Sequence, residues 1–203
     1  LAIVHQIPLK GKNYQALLNS LTENKIPVLY ILGESSDMAA FNNLKTGLGI
    51  RQAAGKYDEA APTVANDFAL FTVSEELKKV SADFPALSVP FGEYLKSTSA
   101  NVLMYQKIGS VQTQKPLVMF NTASEPKTGI VAGEGIWRWR MQNYLQTGNQ
   151  TVFNELVHKI IQYLSVKVDK DRFRVNVKNK FYGFILVEFI FHVYAKNKFY
   201  ENE

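Results

Sequence analysis

The stretch from Lys127 to Leu145, KTGIVAGEGIWRWRMQNYL, couples a β-branched run to an amphipathic helix through the turn Ala132-Gly133-Glu134-Gly135. A chain with this junction must feed a buried strand straight into a helix, which points to an α/β architecture. The turn gathers Glu134, Trp137, Arg138, Trp139 and Arg140 around one strand end. Ligands of open α/β sheets sit at the carboxyl ends of strands, so this is where a site is expected. No set of residues in it specifies a reaction.

The N-terminal part repeats the strand-to-helix pattern. Leu1 to Val4 is a short apolar run, and Tyr14, Leu17, Leu18 and Leu21 recur at helical spacing behind Asn13, a good N-cap. Ile26 to Leu32, IPVLYIL, reads as a second buried strand, followed by Gly33-Glu34-Ser35-Ser36-Asp37 and a short helical pattern at Met38, Phe41 and Leu44. Residues 46 to 68 are rich in Gly, Ala, Asn and Asp and are expected to form a long connection with at most one strand near Thr63 and Val64. Thr72 and Glu75 match a capping box for a short helix through Lys79, and the two prolines between Phe84 and Gly92 argue against a central strand there.

Asn101 to Tyr105, Pro116 to Phe120 and Gly129 to Ala132 are strands that can form a hairpin or meander beside the parallel ones. Thr147-Gly148-Asn149 stops one helix and starts another, whose apolar residues from Val152 to Leu164 fall on one half of the helical wheel. His158 lies on the opposite, polar face. Taken together the pattern predicts a flavodoxin-like α/β fold with a mostly parallel sheet and helices on both faces. The apolar start at Leu1 reads as a cut edge, with an element of the domain expected before it. After residue 168 the pattern changes: Arg172 to Val177 and Phe184 to Tyr194 alternate like strands, and the pentapeptide Lys178 to Tyr182 recurs at Lys196 to Tyr200. We therefore divide the chain into an α/β domain at 1–168 and a β-strand tail at 169–203 that begins a new, β-rich unit. The repeat is read as a hairpin with duplicated ends or a local duplication.

The 203 residues contain no cysteine, which excludes disulfides, thiolate metal sites and a cysteine nucleophile. His5, His158 and His192 are isolated and have no metal-ligand spacing, so neither a metal nor a cofactor is implied. Of the net charge of +5, most falls after residue 158, where nine Lys/Arg face five Asp/Glu. These lysines are interleaved with aromatics rather than gathered into one run, so a solvated segment is expected and nucleic acid is not; binding through that tail would show a steep salt dependence. The longest apolar stretch, Gly183 to Ala195, is short of the roughly 20 residues of a membrane span.

Two turns can carry chemistry. Gly33 to Asp37 sits where doubly wound folds place a nucleophile or a phosphate, so Ser35 is a formal nucleophile, yet no histidine follows in a usable place and Ser35 or Ser36 is expected to cap the next helix. The turn lacks the glycines of the common phosphate-binding fingerprints. Glu134, between two glycines, can hold a polar ligand, or can be a helix-start carboxylate paired with Arg138 or Arg140. On the wheel Ile136, Trp137, Met141, Tyr144 and Leu145 share one face and Trp139 points away from it. Trp137 is thus expected in the core, Trp139 at a partner or ligand, and Arg140, on the apolar face, against Glu134. The candidate binding residues are Gly33, Glu34, Ser35, Ser36, Glu134, Arg138, Trp139 and Arg140.

The strand-turn IPVLYILGESSD, the segment GIVAGEGIWRWRMQNYLQ and the following FNELVHKIIQYLSVKVDKDRFRV resemble the class I glutamine amidotransferase-like domain. They are most similar to versions inside membrane-anchored envelope proteins of Bacteroidota that also carry von Willebrand factor A-like regions. The likeness spans about Leu1 to Val175, and only GEGIWRWR is fairly specific. Active members place a cysteine in a G-x-C-x-G elbow and a His-x-Glu pair near the last strand. Here Gly33 to Ser36 fills the elbow without cysteine, and Ala132 to Gly135 stands near the acid-base region without histidine. The resemblance thus implies a catalytically silent domain for assembly or ligand sensing, with other domains of the same polypeptide or envelope proteins as partners. The competing expectation is a hydrolase or sugar-related enzyme using Ser35 with Glu134.

Overall fold

The computed structural model describes residues 1–166; the tail expected to form strands and the repeated pentapeptide lie outside the described residues. A sheet of seven strands forms among them. The strands are β1 (Ala2–His5), β2 (Val28–Ile31), β3 (Leu48–Val64), β4 (Leu87–Lys96), β5 (Ala100–Ile108), β6 (Val111–Asn121) and β7 (Thr128–Val131). The helices are α1 (Gln15–Glu23), α2 (Met38–Asn43), α3 (Glu75–Ser81), α4 (Trp137–Thr147) and α5 (Thr151–Ser165).

The strand order is β1-β2-β7-β6-β5-β3-β4. Only β1 with β2 and β2 with β7 run parallel; β7 with β6, β6 with β5, β5 with β3 and β3 with β4 are antiparallel. The chain is therefore mixed α/β, and the expected mostly parallel, flavodoxin-like sheet is overturned. The misreading has two sources. The meander β5-β6-β7 was legible, but its strands are the centre of the sheet rather than an appendage. The Gly- and Ala-rich segment expected as a connection is the 17-residue strand β3, whose intrinsic β-propensity is weak.

What holds β3 is pairing to two neighbours: Leu48 to Ala60 lies against β4, with an irregularity between Gln52 and Tyr57, and Ala61 to Val64 lies against β5. Its buried residues alternate at Leu48 and Ile50. The segment with two prolines is likewise a strand, β4, but at the edge of the sheet, where a missing N–H at Pro90 is tolerated. A separate bridge between Ser88 and Glu134 brings the beginning of this edge strand to the end of β7, so the antiparallel half of the sheet curls toward the parallel half.

Helices do cover both faces. One core joins Leu77 and Val80 of α3, Trp139 of α4, and Val152, Leu156, Ile160 and Leu164 of α5 to sheet residues such as Leu103, Leu117 and Val131. The other joins Leu18 and Leu21 of α1 and Met38 and Phe41 of α2 to Tyr30, Ile50, Met119 and Ile130. The buried positions of α5 keep four-residue spacing, and His158 is exposed, as the periodicity requires.

Local signals fix the ends. The N-cap of α1 is Tyr14, without a side-chain cap bond, rather than the expected Asn13, which stands one residue earlier and accepts at Oδ1 from the Gln15 backbone N–H. The cap of α3 is Ser74, whose hydroxyl accepts from the Leu77 N–H at 3.1 Å, rather than Thr72. α4 stops at Gly148, with φ of 70°, a conformation that a side chain disfavours. Asn149 Oδ1 then accepts from the Thr151 N–H to open α5. No helix among the described residues is long and apolar enough to cross a membrane.

Candidate functional site

The three parallel strands end together, and the turns after them form the site: Gln6 follows β1, Gly33 to Ser36 follow β2, and Gly133 to Gly135 follow β7. Glu134 reaches across all three. Its Oε1 accepts from Gln6 Nε2 at 2.8 Å, and its Oε2 accepts from the backbone N–H of Glu34 at 3.1 Å. The Gln6 carbonyl oxygen closes the ring by accepting from the Ser35 N–H at 3.0 Å. Gln6 therefore donates to one turn and accepts from the other, a clamp that needs a side-chain amide.

Gly33 lies under the clamp. A Cβ there would sit 2.5 Å from Glu134 Oε2 and 2.9 Å from the Gln6 side chain, so any other residue would displace the two side chains of the clamp. Ser36 is buried, and its hydroxyl accepts from the Gly33 N–H at 3.1 Å. Neither serine caps α2, contrary to expectation: Asp37 does, accepting from the Ala40 N–H at 3.0 Å. The serines are instead held one turn earlier, by the loop after β1, where Lys10 N–H donates to the Ser35 carbonyl and Pro8 accepts from Asp37 N–H.

Glu34 is exposed at the rim, and its carboxylate accepts from the Ser88 hydroxyl at 3.2 Å. Its carbonyl accepts from the Tyr57 hydroxyl at 3.1 Å and from Lys10 Nζ at 2.9 Å. Sequence reasoning missed Gln6, Lys10, Tyr57 and Ser88, since each comes from an element paired only by tertiary structure. One signal was available for Gln6, a polar residue directly behind a buried strand run.

The arginines and tryptophans depart from expectation. Arg140 turns away from Glu134 and donates from Nε to Gln150 Oε1 at 2.7 Å. The Arg138 guanidinium lies against the Gly135 backbone, 2.7 Å from where a Cβ would stand. Among the described residues neither arginine forms an ion pair, and Glu134 forms none. Trp139 is fully buried, stacked on Phe84 with ring centroids 5.2 Å apart, and its Nε1–H donates to the Pro85 carbonyl at 2.8 Å. Trp137 is 62% exposed. The expected roles are thus exchanged, because α4 docks by the face carrying Trp139 and Asn143, and the richer apolar stripe faces outward.

The site therefore unites Gly33, Glu34, Ser35, Ser36 and Glu134, keeps Arg138 beside it, and excludes Trp139 and Arg140. Chemically, each Glu134 oxygen accepts a hydrogen bond, and the Ser35 hydroxyl has no hydrogen-bond partner among the described residues. Among the described residues neither the His5 nor the His158 imidazole is hydrogen-bonded to Ser35. No group of three or more His, Asp or Glu is arranged to hold a metal ion among the described residues.

A groove of about 450 Å³ on the α5 side is lined by Phe71, Thr72, Lys127, Lys159, Gln162 and Tyr163 among others. Its cations serve the fold. Lys127 donates to the Tyr163 and Val166 carbonyls that end α5, and burial lowers its pKa. Lys159 donates to the Thr72 carbonyl and pairs with Glu155 at 2.8 Å.

No family model matches the chain, and no curated protein matches it. Among solved structures it is similar to the cytoplasmic protein STM3548 from Salmonella typhimurium, at 16% identity and a TM-score of 0.47, over 79% of this chain and 70% of that one.

Proposed function

We propose that residues 1–166 are a non-catalytic interaction or ligand-sensing domain of a larger cell-envelope protein, a silent relative of the class I glutamine amidotransferase-like domains. The observation that carries this reading is the state of Glu134. Each oxygen of this carboxylate accepts a hydrogen bond from the β1 or β2 turn, so the group is oriented by its own scaffold and ties the strand ends together. The envelope setting and the other domains as partners are supported by the sequence resemblance alone.

The test is turnover. Purified full chain is incubated with glutamine, p-nitrophenyl esters and p-nitrophenyl glycosides, beside Ser35→Ala and Glu134→Gln variants. We expect no release above buffer. Turnover that disappears in Ser35→Ala would establish the competing hydrolase and end the non-catalytic reading.

A further inference from the structure

We infer that α4 is the docking surface for an acidic amphipathic helix, which rests on the reading of this domain as an interaction module and names its partner. Trp137, Met141, Tyr144 and Leu145 are exposed by 62%, 57%, 56% and 76%. The spacing of the first three, four residues and then three, is that of a coiled-coil seam. In that register Trp137 and Tyr144 take d positions and Met141 an a position, while Arg138 and Arg140 fall at e and g on either side. The opposite face of the helix is the one buried, through Trp139 and Asn143, so the seam is aimed outward by the packing of the domain.

Charge selects the partner. α4 contains two arginines and no acidic residue, and neither guanidinium is in an ion pair among the described residues. Both are positioned: Arg138 rests on Gly135, and Arg140 is tethered by its Nε to Gln150. Side chains already held in place lose less freedom on binding. A helix with apolar a and d residues and Glu or Asp at e and g would fill the seam and meet both cations. A second copy of α4 would set arginine against arginine, which like-charge repulsion opposes. An anionic lipid surface also takes up an apolar stripe flanked by cations, and vesicle binding is the outcome that separates it from a helix partner.

The probe is a fluorescein-labelled synthetic peptide of several heptads with Leu at a and d and Glu at e and g, titrated into the full chain and followed by anisotropy. A matched peptide with Lys at e and g is the control. We expect saturable binding of the Glu peptide and at least about tenfold weaker binding of the Lys peptide. Arg138→Glu with Arg140→Glu is expected to reverse that preference, and Met141→Asp, at an exposed position, to abolish binding. Should the double variant fail to fold by circular dichroism, Met141→Asp and the peptide preference decide. The inference is overturned by equal binding of the two peptides, by no binding, by binding only to phosphatidylserine vesicles, or by a sedimenting dimer that Met141→Asp dissociates. A silent titration leaves the turnover result untouched, and Ser35-dependent turnover leaves the peptide result untouched, so the two readings fail separately.

Discussion

Trp139→Phe tests which face of α4 belongs to the core. The indole is fully buried and stacked on Phe84, and its Nε1–H is bonded to the Pro85 carbonyl. Phenylalanine keeps the stacked ring but removes two ring carbons, at about 0.8 kcal/mol each, and a hydrogen bond of about 1 kcal/mol. The loss is about 2.5 kcal/mol. For a domain of this size that lowers Tm by roughly 5–10 °C. Trp137→Phe, at a 62% exposed site, is expected to change stability by no more than about 0.5 kcal/mol. Urea melts of the two variants at equal protein concentration, with Trp137→Phe as the internal control, measure both values. Equal losses, or a larger loss from Trp137→Phe, would refute the assignment of the buried face and with it the outward seam.

Gly33→Ala is expected to open the clamp, because the added methyl would lie 2.5 Å from Glu134 Oε2, and the amide of Glu34 should then exchange hydrogen faster; unchanged exchange would mean that the turn has room to spare. A pH effect is expected at Glu155, whose carboxyl is held below its ordinary value of about 4.5 chiefly by the hydrogen bond from Lys159 and further by Ser74. Its depressed folded pKa means that the stabilisation is present above the ordinary value and is lost as pH falls through the folded one. Glu155→Gln should therefore flatten the acid limb of a stability profile, and an identical limb in wild type and variant would contradict this.

Periodic and punctuating features were legible in the sequence. The four-residue repeat of α5, the Gly148 stop and the β5-β6-β7 meander each depend on neighbours close in the chain. β3 was not legible, because Gly- and Ala-rich strands gain their order from the strands beside them, and here both partners lie well ahead in sequence. The tryptophans were misplaced for a related reason. A helical wheel ranks faces by how much apolar surface they carry, but α4 buries a single large ring that finds Phe84 and the Pro85 carbonyl. At the site, the turns of Gly33 and Glu134 could be found from their position behind strands, whereas their direct contact, and the intervention of Gln6, required the parallel order β1-β2-β7.

Gln6 has a φ of 59°, in the left-handed region that a side chain rarely occupies. Such a conformation costs about 1–2 kcal/mol for a residue with a Cβ, and it persists only where the surroundings hold it. The amide bonds to Glu134 and to the Ser35 N–H supply that hold. Two truncations separate strain from clamp. Gln6→Ala loses both hydrogen bonds and keeps the strain. Gln6→Gly loses the same bonds and relieves the strain, while adding about 0.4–1 kcal/mol of unfolded-chain entropy. The glycine variant should therefore be the more stable of the two by about 0.5–1 kcal/mol, with both below wild type. If alanine is the more stable variant, Gln6 is not strained in solution. If both match wild type, the amide contributes nothing to joining the strand ends, and the Glu134 carboxylate is not committed to the fold through Gln6.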